Sequence, residues 1–295
     1  MTSVEISEAS RTNRRATKAE MEERAEFLID YAGEHGPVTV RGLYYQAEVA
    51  SVAGISKDDP GYDKVQRQVL LLRRAGRLSY NDIADATRWM GKPKSYNSVE
   101  EALQSTAALY RKALWAETND YVEIWCEKDA LAGVIYPVTA HYDVPLMVTR
   151  GFSSETFVYS AIEARDNDPR DFYVYYLGDF DRAGQDAAKA LQEKLERFSE
   201  DKSFAVCFAQ IAVTEWQIEN WELPTRLPKR TSANDRKWPF DFACELDAIP
   251  PDTLRALVQE CIEQHLPQEQ LEVLKVAEES ERALLRSFVQ GLGAS

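Results

Sequence analysis

A chain of 295 residues, 44% of them hydrophobic, is long enough to bury a substantial core in two units of ordinary size, which excludes a disordered or fibrous protein. Its four cysteines, Cys126, Cys207, Cys244 and Cys261, contain no CxxC pair, which disfavours a zinc site or a disulfide framework. The first residues are polar and no eighteen apolar residues run together, so no membrane partner and a cytoplasmic location are expected.

The net charge of -14 argues at first against a nucleic-acid partner, because phosphate binding is driven by Lys and Arg that displace counterions. That average conceals an uneven distribution. Residues 1–95 carry fifteen Lys and Arg against fourteen Asp and Glu, whereas the remaining residues carry twenty against thirty-five. An acidic unit beside a near-neutral one with local basic stretches is compatible with DNA binding.

Residues 1–17 read as a flexible arm whose Arg11, Arg14 and Arg15 either touch phosphate or are simply solvated. From Lys18 to about Tyr31, Met21, Ala25, Leu28 and Ile29 recur at helical spacing, and Gly33 and Gly36-Pro37 stop the pattern. Thr39 caps a second helix, Val40 to about Val52, and Tyr62 to Ala75 reads as a third. The third carries Lys64, Arg67, Arg73 and Arg74, with Arg77 after Gly76 and a turn-rich Ser79-Tyr80-Asn81-Asp82 beyond. Two readings fit this stretch: a winged helix-turn-helix whose basic third helix enters the major groove, or a helical bundle with a solvated arginine face.

Residues 91–118, which contain Gly91, Pro93 and Ser95 before a charged helix start, make a linker with a helix. After it the pattern changes class. Tyr121–Cys126, Pro145–Thr149, Phe172–Leu177 and Phe204–Ile211 read as strands, with helices at Asp129–Thr139, Ser153–Ala164 and Arg182–Phe198 between them. That alternation predicts a parallel sheet flanked by helices. A helical tail follows, Asp252 to Gln290, giving an α/β + α chain.

In such a sheet functional groups gather where strands lead into helices at their carboxyl ends. Glu127 follows the first strand directly, and Asp179 and Asp181 follow the third through Gly178. Singly, each acid could be a helix cap, as Asp129 and Asp181 could. Three converging carboxylates without His or Cys instead form an oxygen-only site that suits Mg²⁺.

Glu127-Lys128, then Gly151 in Thr149-Arg-Gly-Phe-Ser-Ser154, then Gly178-Asp-Phe-Asp-Arg-Ala-Gly184, resembles the Toprim domain of topoisomerase VI A subunits and their meiotic break-making relatives. Arg182 departs from that pattern, in which proline is usual. Arg41-Gly-Leu-Tyr44-Tyr45 matches the family's catalytic-tyrosine motif, and Glu215–Pro224 and Glu245–Pro251 resemble the short stand-alone Mini-A group. The resemblance covers residues 37–88 and 121–253.

By that resemblance residues 18–90 form a winged-helix domain with Tyr45 as nucleophile and Arg41 beside it on the same helix face, and residues 119–250 form the Toprim domain, with 251–295 a helical region. It further implies a type IIB topoisomerase activity on double-stranded DNA, with Mg²⁺ on Glu127, Asp179 and Asp181, a homodimer that shares its active centres, and a GHKL-type ATPase B subunit on another chain. Lys64, Arg67, Arg73, Arg74 and Arg77 are the expected DNA contacts. The alternatives are a hydrolytic Toprim nuclease in which Tyr45 is structural, and a DNA-binding dimer that does not cut. A Tyr-Tyr pair on a helix is otherwise core packing with a hydrogen-bonded hydroxyl.

Overall fold

The computed structural model describes residues 17–57, 59–84, 95–165, 167–266 and 268–293. The expected arm up to residue 16, with its three arginines, and the Gly91-Pro93 part of the linker lie outside the described residues.

Helix α1 (Lys18–His35) opens on a capping box, in which the Glu20 N–H donates to Thr17 Oγ1 and the Thr17 N–H donates to Glu20. It runs past the expected stop at Gly33 and ends only at Gly36. A lone glycine weakens a helix without breaking it, whereas the following proline cannot continue one. Thr39 caps α2 (Val40–Val49) by accepting from the Gly42 N–H at 2.8 Å. Helix α3 (Asp59–Arg74) begins one turn earlier than the periodicity predicts, because Pro60 falls in the first turn, where its missing N–H leaves no bond unmade. A short 3-10 turn at Tyr80–Asp82 then returns the chain to α1's exit, where Val38 and Ile83 form an isolated parallel bridge. Among the described residues ahead of α4 (Val99–Leu109) there is no longer strand pairing than this.

The sheet is four-stranded and entirely parallel, in the order β2-β1-β3-β4, from β1 (Asp120–Cys126), β2 (Leu146–Val148), β3 (Asp171–Leu177) and β4 (Val206–Ala212). Their connections are α5 (Asp129–His141), α6 (Glu155–Glu163) and α7 (Arg182–Ser199). Period-2 alternation assigns the faces. Trp125, Phe172, Val174 and Tyr176 pack in one cluster with residues of α6 and α7. Ile124, Cys126 and Leu177 join a second cluster with α5 and with α9 (Pro251–Glu263). That second cluster continues into Leu28, Leu43 and Val69, so the N-terminal helices share apolar contacts with the sheet unit. The predicted single helical tail is two helices, α9 and α10 (Gln268–Gly293). Among the described residues no helix is long and apolar enough to cross a membrane.

Because β1 leads to β2 on one side while β3 lies on its other side, the loops leaving β1 and β3 diverge to opposite faces. The crevice between them is the switch point of the sheet.

Candidate functional site

The three expected acids stand in that crevice. In-register pairing ends at Cys126 and Leu177, and the Glu127 N–H still donates to the Leu177 carbonyl at 2.8 Å, which sets Glu127 against the start of the β3 loop. Glu127 Oε2 then accepts from the Asp179 N–H at 3.0 Å. The two glycines of the Gly178–Gly184 motif explain themselves sterically. A Cβ on Gly178 would lie 2.7 Å from the Tyr176 ring and 2.8 Å from Glu127 Oε2, and one on Gly184 would lie 2.3 Å from the Asp179 carbonyl oxygen. Asp181 is the N-cap of α7, accepting from the Gly184 N–H at 2.9 Å, so its capping role is real. Arg182 pairs with Asp186 one turn along α7.

The acids are met by internal cations. Lys128 Nζ lies 3.0 Å from Asp179, 3.2 Å from Glu245 and 2.9 Å from Asp247. Arg226 Nη2 donates to Asp181 Oδ2 at 2.8 Å, and its Nε lies 3.2 Å from Glu245. Arg226 is brought there by an antiparallel bridge to Ala243, beside a second bridge from Cys244 to Phe180. Asp179 also accepts from the Leu246 N–H at 2.8 Å, and Asp247 accepts from Thr39 Oγ1 at 2.7 Å, which ties the α2 cap to the cluster.

Five carboxylates, Glu127, Asp179, Asp181, Glu245 and Asp247, thus meet three cations, Lys128, Arg226 and Arg41, whose Nε lies 3.6 Å from Glu245. Two negative charges are left over if all are ionised. Burial, and then the charge of Asp179, push the Glu127 carboxyl up. Burial raises Asp179 too, against the opposing pull of Lys128. For Lys128 burial works downward, but Asp247, Asp179 and Glu245 outweigh it and hold the ammonium far above its usual range.

Tyr45 and Arg41, four residues apart on α2, reach the same neighbourhood. They line a cleft of about 530 Å³ with Tyr44, Lys57, Arg226 and Glu245. The Tyr45 ring packs on Tyr44 with centroids 5.2 Å apart, and its hydroxyl takes no hydrogen bond among the described residues. Burial and the charge of Glu245 raise the phenol's pKa, while Arg41 and Lys128 oppose them. The Arg41 guanidinium stacks 4.1 Å from the Tyr62 ring centroid. A neighbouring cleft of about 480 Å³ shares Arg41 and Glu245 and adds Lys128, Tyr62, Gln66 and Arg73.

No known protein family and no curated protein matches the chain.

The basic residues of α3, and Arg77 beyond it, have different local partners. Lys64 Nζ donates to the Gly54 carbonyl, Arg77 is paired with Glu22, and Arg67 and Arg74 are exposed. Arg73 alone lines a cleft of the site, its guanidinium 4.2 Å from the Tyr80 ring centroid.

As a donor set, the three acids fit a hard divalent cation, because all donors are oxygens. Two of them are engaged by Lys128 and Arg226, and among the described residues no group of three His, Cys, Asp or Glu side chains is already arranged as a metal cage.

Nothing in the sequence pattern singles out Lys128, Arg226, Glu245 or Asp247 as functional. The spacing of Glu245 and Asp247 just ahead of Pro250-Pro251 was the only local signal for the acids. Arg226 sits in an irregular loop, and its partners lie 17 to 45 residues away in sequence, so no periodicity could have exposed it.

Proposed function

We propose that the chain is a DNA strand-cleaving transesterase of the topoisomerase VI A type, in which Tyr45 attacks a phosphodiester. The Tyr45 oxygen bonds to phosphorus as the bond from phosphorus to the 3′-oxygen breaks, and the phenolic proton is balanced by the proton gained at the 3′-hydroxyl. The product is a 5′-phosphotyrosyl link, which preserves bond energy for resealing without ATP. The observation that carries this reading is the cleft that Tyr45 shares with Arg41, Arg226 and Glu245, beside the acids at the switch point.

Glu127, Asp179 and Asp181 would hold Mg²⁺, which when bound supplies Lewis-acid stabilisation of charge on the phosphate. Arg41 and Lys128 favour the phenolate of Tyr45 electrostatically. Lys128 also helps hold Asp179 in place, on the same carboxylate oxygen that accepts from the Leu246 N–H.

The reading carries with it the winged-helix assignment of residues 18–90, the Toprim assignment of 119–250, a cytoplasmic homodimer, and a GHKL-type B subunit for strand passage. One observation favours a second reading, a hydrolytic Toprim nuclease: burial and Glu245 raise the Tyr45 phenol away from neutrality. Incubating supercoiled DNA with Mg²⁺ and either the native chain or Tyr45→Phe separates them. Transesterification predicts that Tyr45→Phe loses DNA processing entirely, whereas hydrolysis predicts that it still nicks.

A further inference from the structure

Arg226 stands between two parts of the site. Its backbone is pinned by the bridge to Ala243, with N–H to carbonyl distances of 2.8 Å in both directions. Its Nη2 is committed to Asp181, but its buried Nε forms no hydrogen bond despite the Glu245 oxygen 3.2 Å away. Among the described residues Nη1 takes no partner. A guanidinium carries five N–H donors in a rigid fork matched to oxyanions, so most of this one's donor capacity is unspent. The unspent part belongs to a residue that lines the Tyr45 cleft, where Lys57 and Lys229 also stand and Glu245 is the sole carboxylate. A second cleft, about 470 Å³, continues past Arg226 and Lys57, whose Nζ lies 3.7 Å from Glu48, toward Leu227, Asp241 and Phe242, which extends the trough beyond a single phosphate.

We propose that Arg226, with Lys57 and Lys229, is the receptor for a nucleic-acid phosphodiester in this cleft, and that phosphate binding there and divalent-cation binding at Asp181 reinforce each other. The nucleic-acid identity of the ligand rests on the reading above. The coupling follows from Arg226 serving both groups. A phosphate oxygen on the guanidinium offsets the charge that holds Asp181, and Asp181 is released to the cation; by linkage the cation then strengthens phosphate binding by the same factor.

The test is titration calorimetry of Mg²⁺ into the full chain carrying Tyr45→Phe, which removes the proposed nucleophile, with and without a double-stranded oligonucleotide. The oligonucleotide is expected to tighten Mg²⁺ binding by about fivefold or more. Adding Arg226→Gln should weaken oligonucleotide binding by about tenfold while leaving Mg²⁺ alone bound as tightly or more tightly, because Asp181 loses its competing cation. A purely structural arginine would weaken both. Lys229→Gln, at an exposed position, serves if Arg226→Gln does not fold, and is expected to weaken the oligonucleotide without changing Mg²⁺ alone.

Equal Mg²⁺ affinity with and without oligonucleotide overturns the coupling, as does unaltered oligonucleotide binding in both variants. Tightening by inorganic phosphate but not by the oligonucleotide overturns the assignment to a nucleic-acid strand. These outcomes leave the metal site standing, whereas the lack of any Mg²⁺ binding that Asp179→Ala abolishes removes the metal reading itself.

Discussion

Lys128 holds three carboxylates at distances of 3.0, 3.2 and 2.9 Å from a largely buried position. Such a group is worth most when it is removed, because its partners are then left buried and unpaired. Lys128→Met should therefore destabilise the fold by about 3 kcal/mol in urea denaturation, and a variant as stable as the native chain would contradict the geometry. Glu123 gives the opposite sign. Its buried carboxylate accepts from Trp125 Nε1 at 2.7 Å, and burial raises its pKa in spite of that bond. A raised carboxyl contributes stability that is present below its unfolded pKa and lost as pH rises through the folded one. Thermal melts should then show Glu123→Gln gaining on the native chain as pH climbs above the usual carboxylate range, with no gain in acid. At this scale the placement of Glu127, Asp179 and Asp181 around one crevice was legible because strand ends mark them, and that of Arg41 beside Tyr45 because they lie one helical turn apart. Arg226, Glu245 and Asp247 were not, since their roles arise from bridges between distant loops.

Helix α7 joins the acid loop through its first turn. Replacing Gly184 with alanine improves intrinsic helix propensity by about 1 kcal/mol, yet the added Cβ would meet the Asp179 carbonyl at 2.3 Å. The clash should win: Gly184→Ala is expected to lower thermal stability and to weaken Mg²⁺ binding about tenfold or more, as calorimetry would read, because Asp179 must move. Element types were legible from periodicity, and the parallel sheet from strand and helix alternation. Boundaries were less so. The Pro60 first turn, the passage of α1 through Gly33 and the division of the tail into α9 and α10 each depend on local backbone chemistry or tertiary packing that the apolar pattern does not encode.

Across the whole molecule, one apolar cluster runs from Leu28 and Leu43 in the N-terminal helices through Ile124 to Leu254 and Val258. Thr39 on Asp247, and Arg255 donating to the His35 carbonyl at 2.7 Å, add polar ties between the same parts. Tyr45 is thereby held beside the acid loops of its own chain, whereas the resemblance implies a centre shared between two chains. Because net charge is -14, the proposed DNA affinity would have to come from local cations, so it should fall with salt and flatten when Arg226 and Lys229 are neutralised. The central claim is covalent chemistry at Tyr45, and denaturing electrophoresis after incubation with Mg²⁺ and 3′-end-labelled DNA addresses it directly. The native chain should give a labelled protein–DNA adduct that Tyr45→Phe and Asp179→Ala both abolish. Cleaved DNA free of protein, undiminished in Tyr45→Phe, would contradict it.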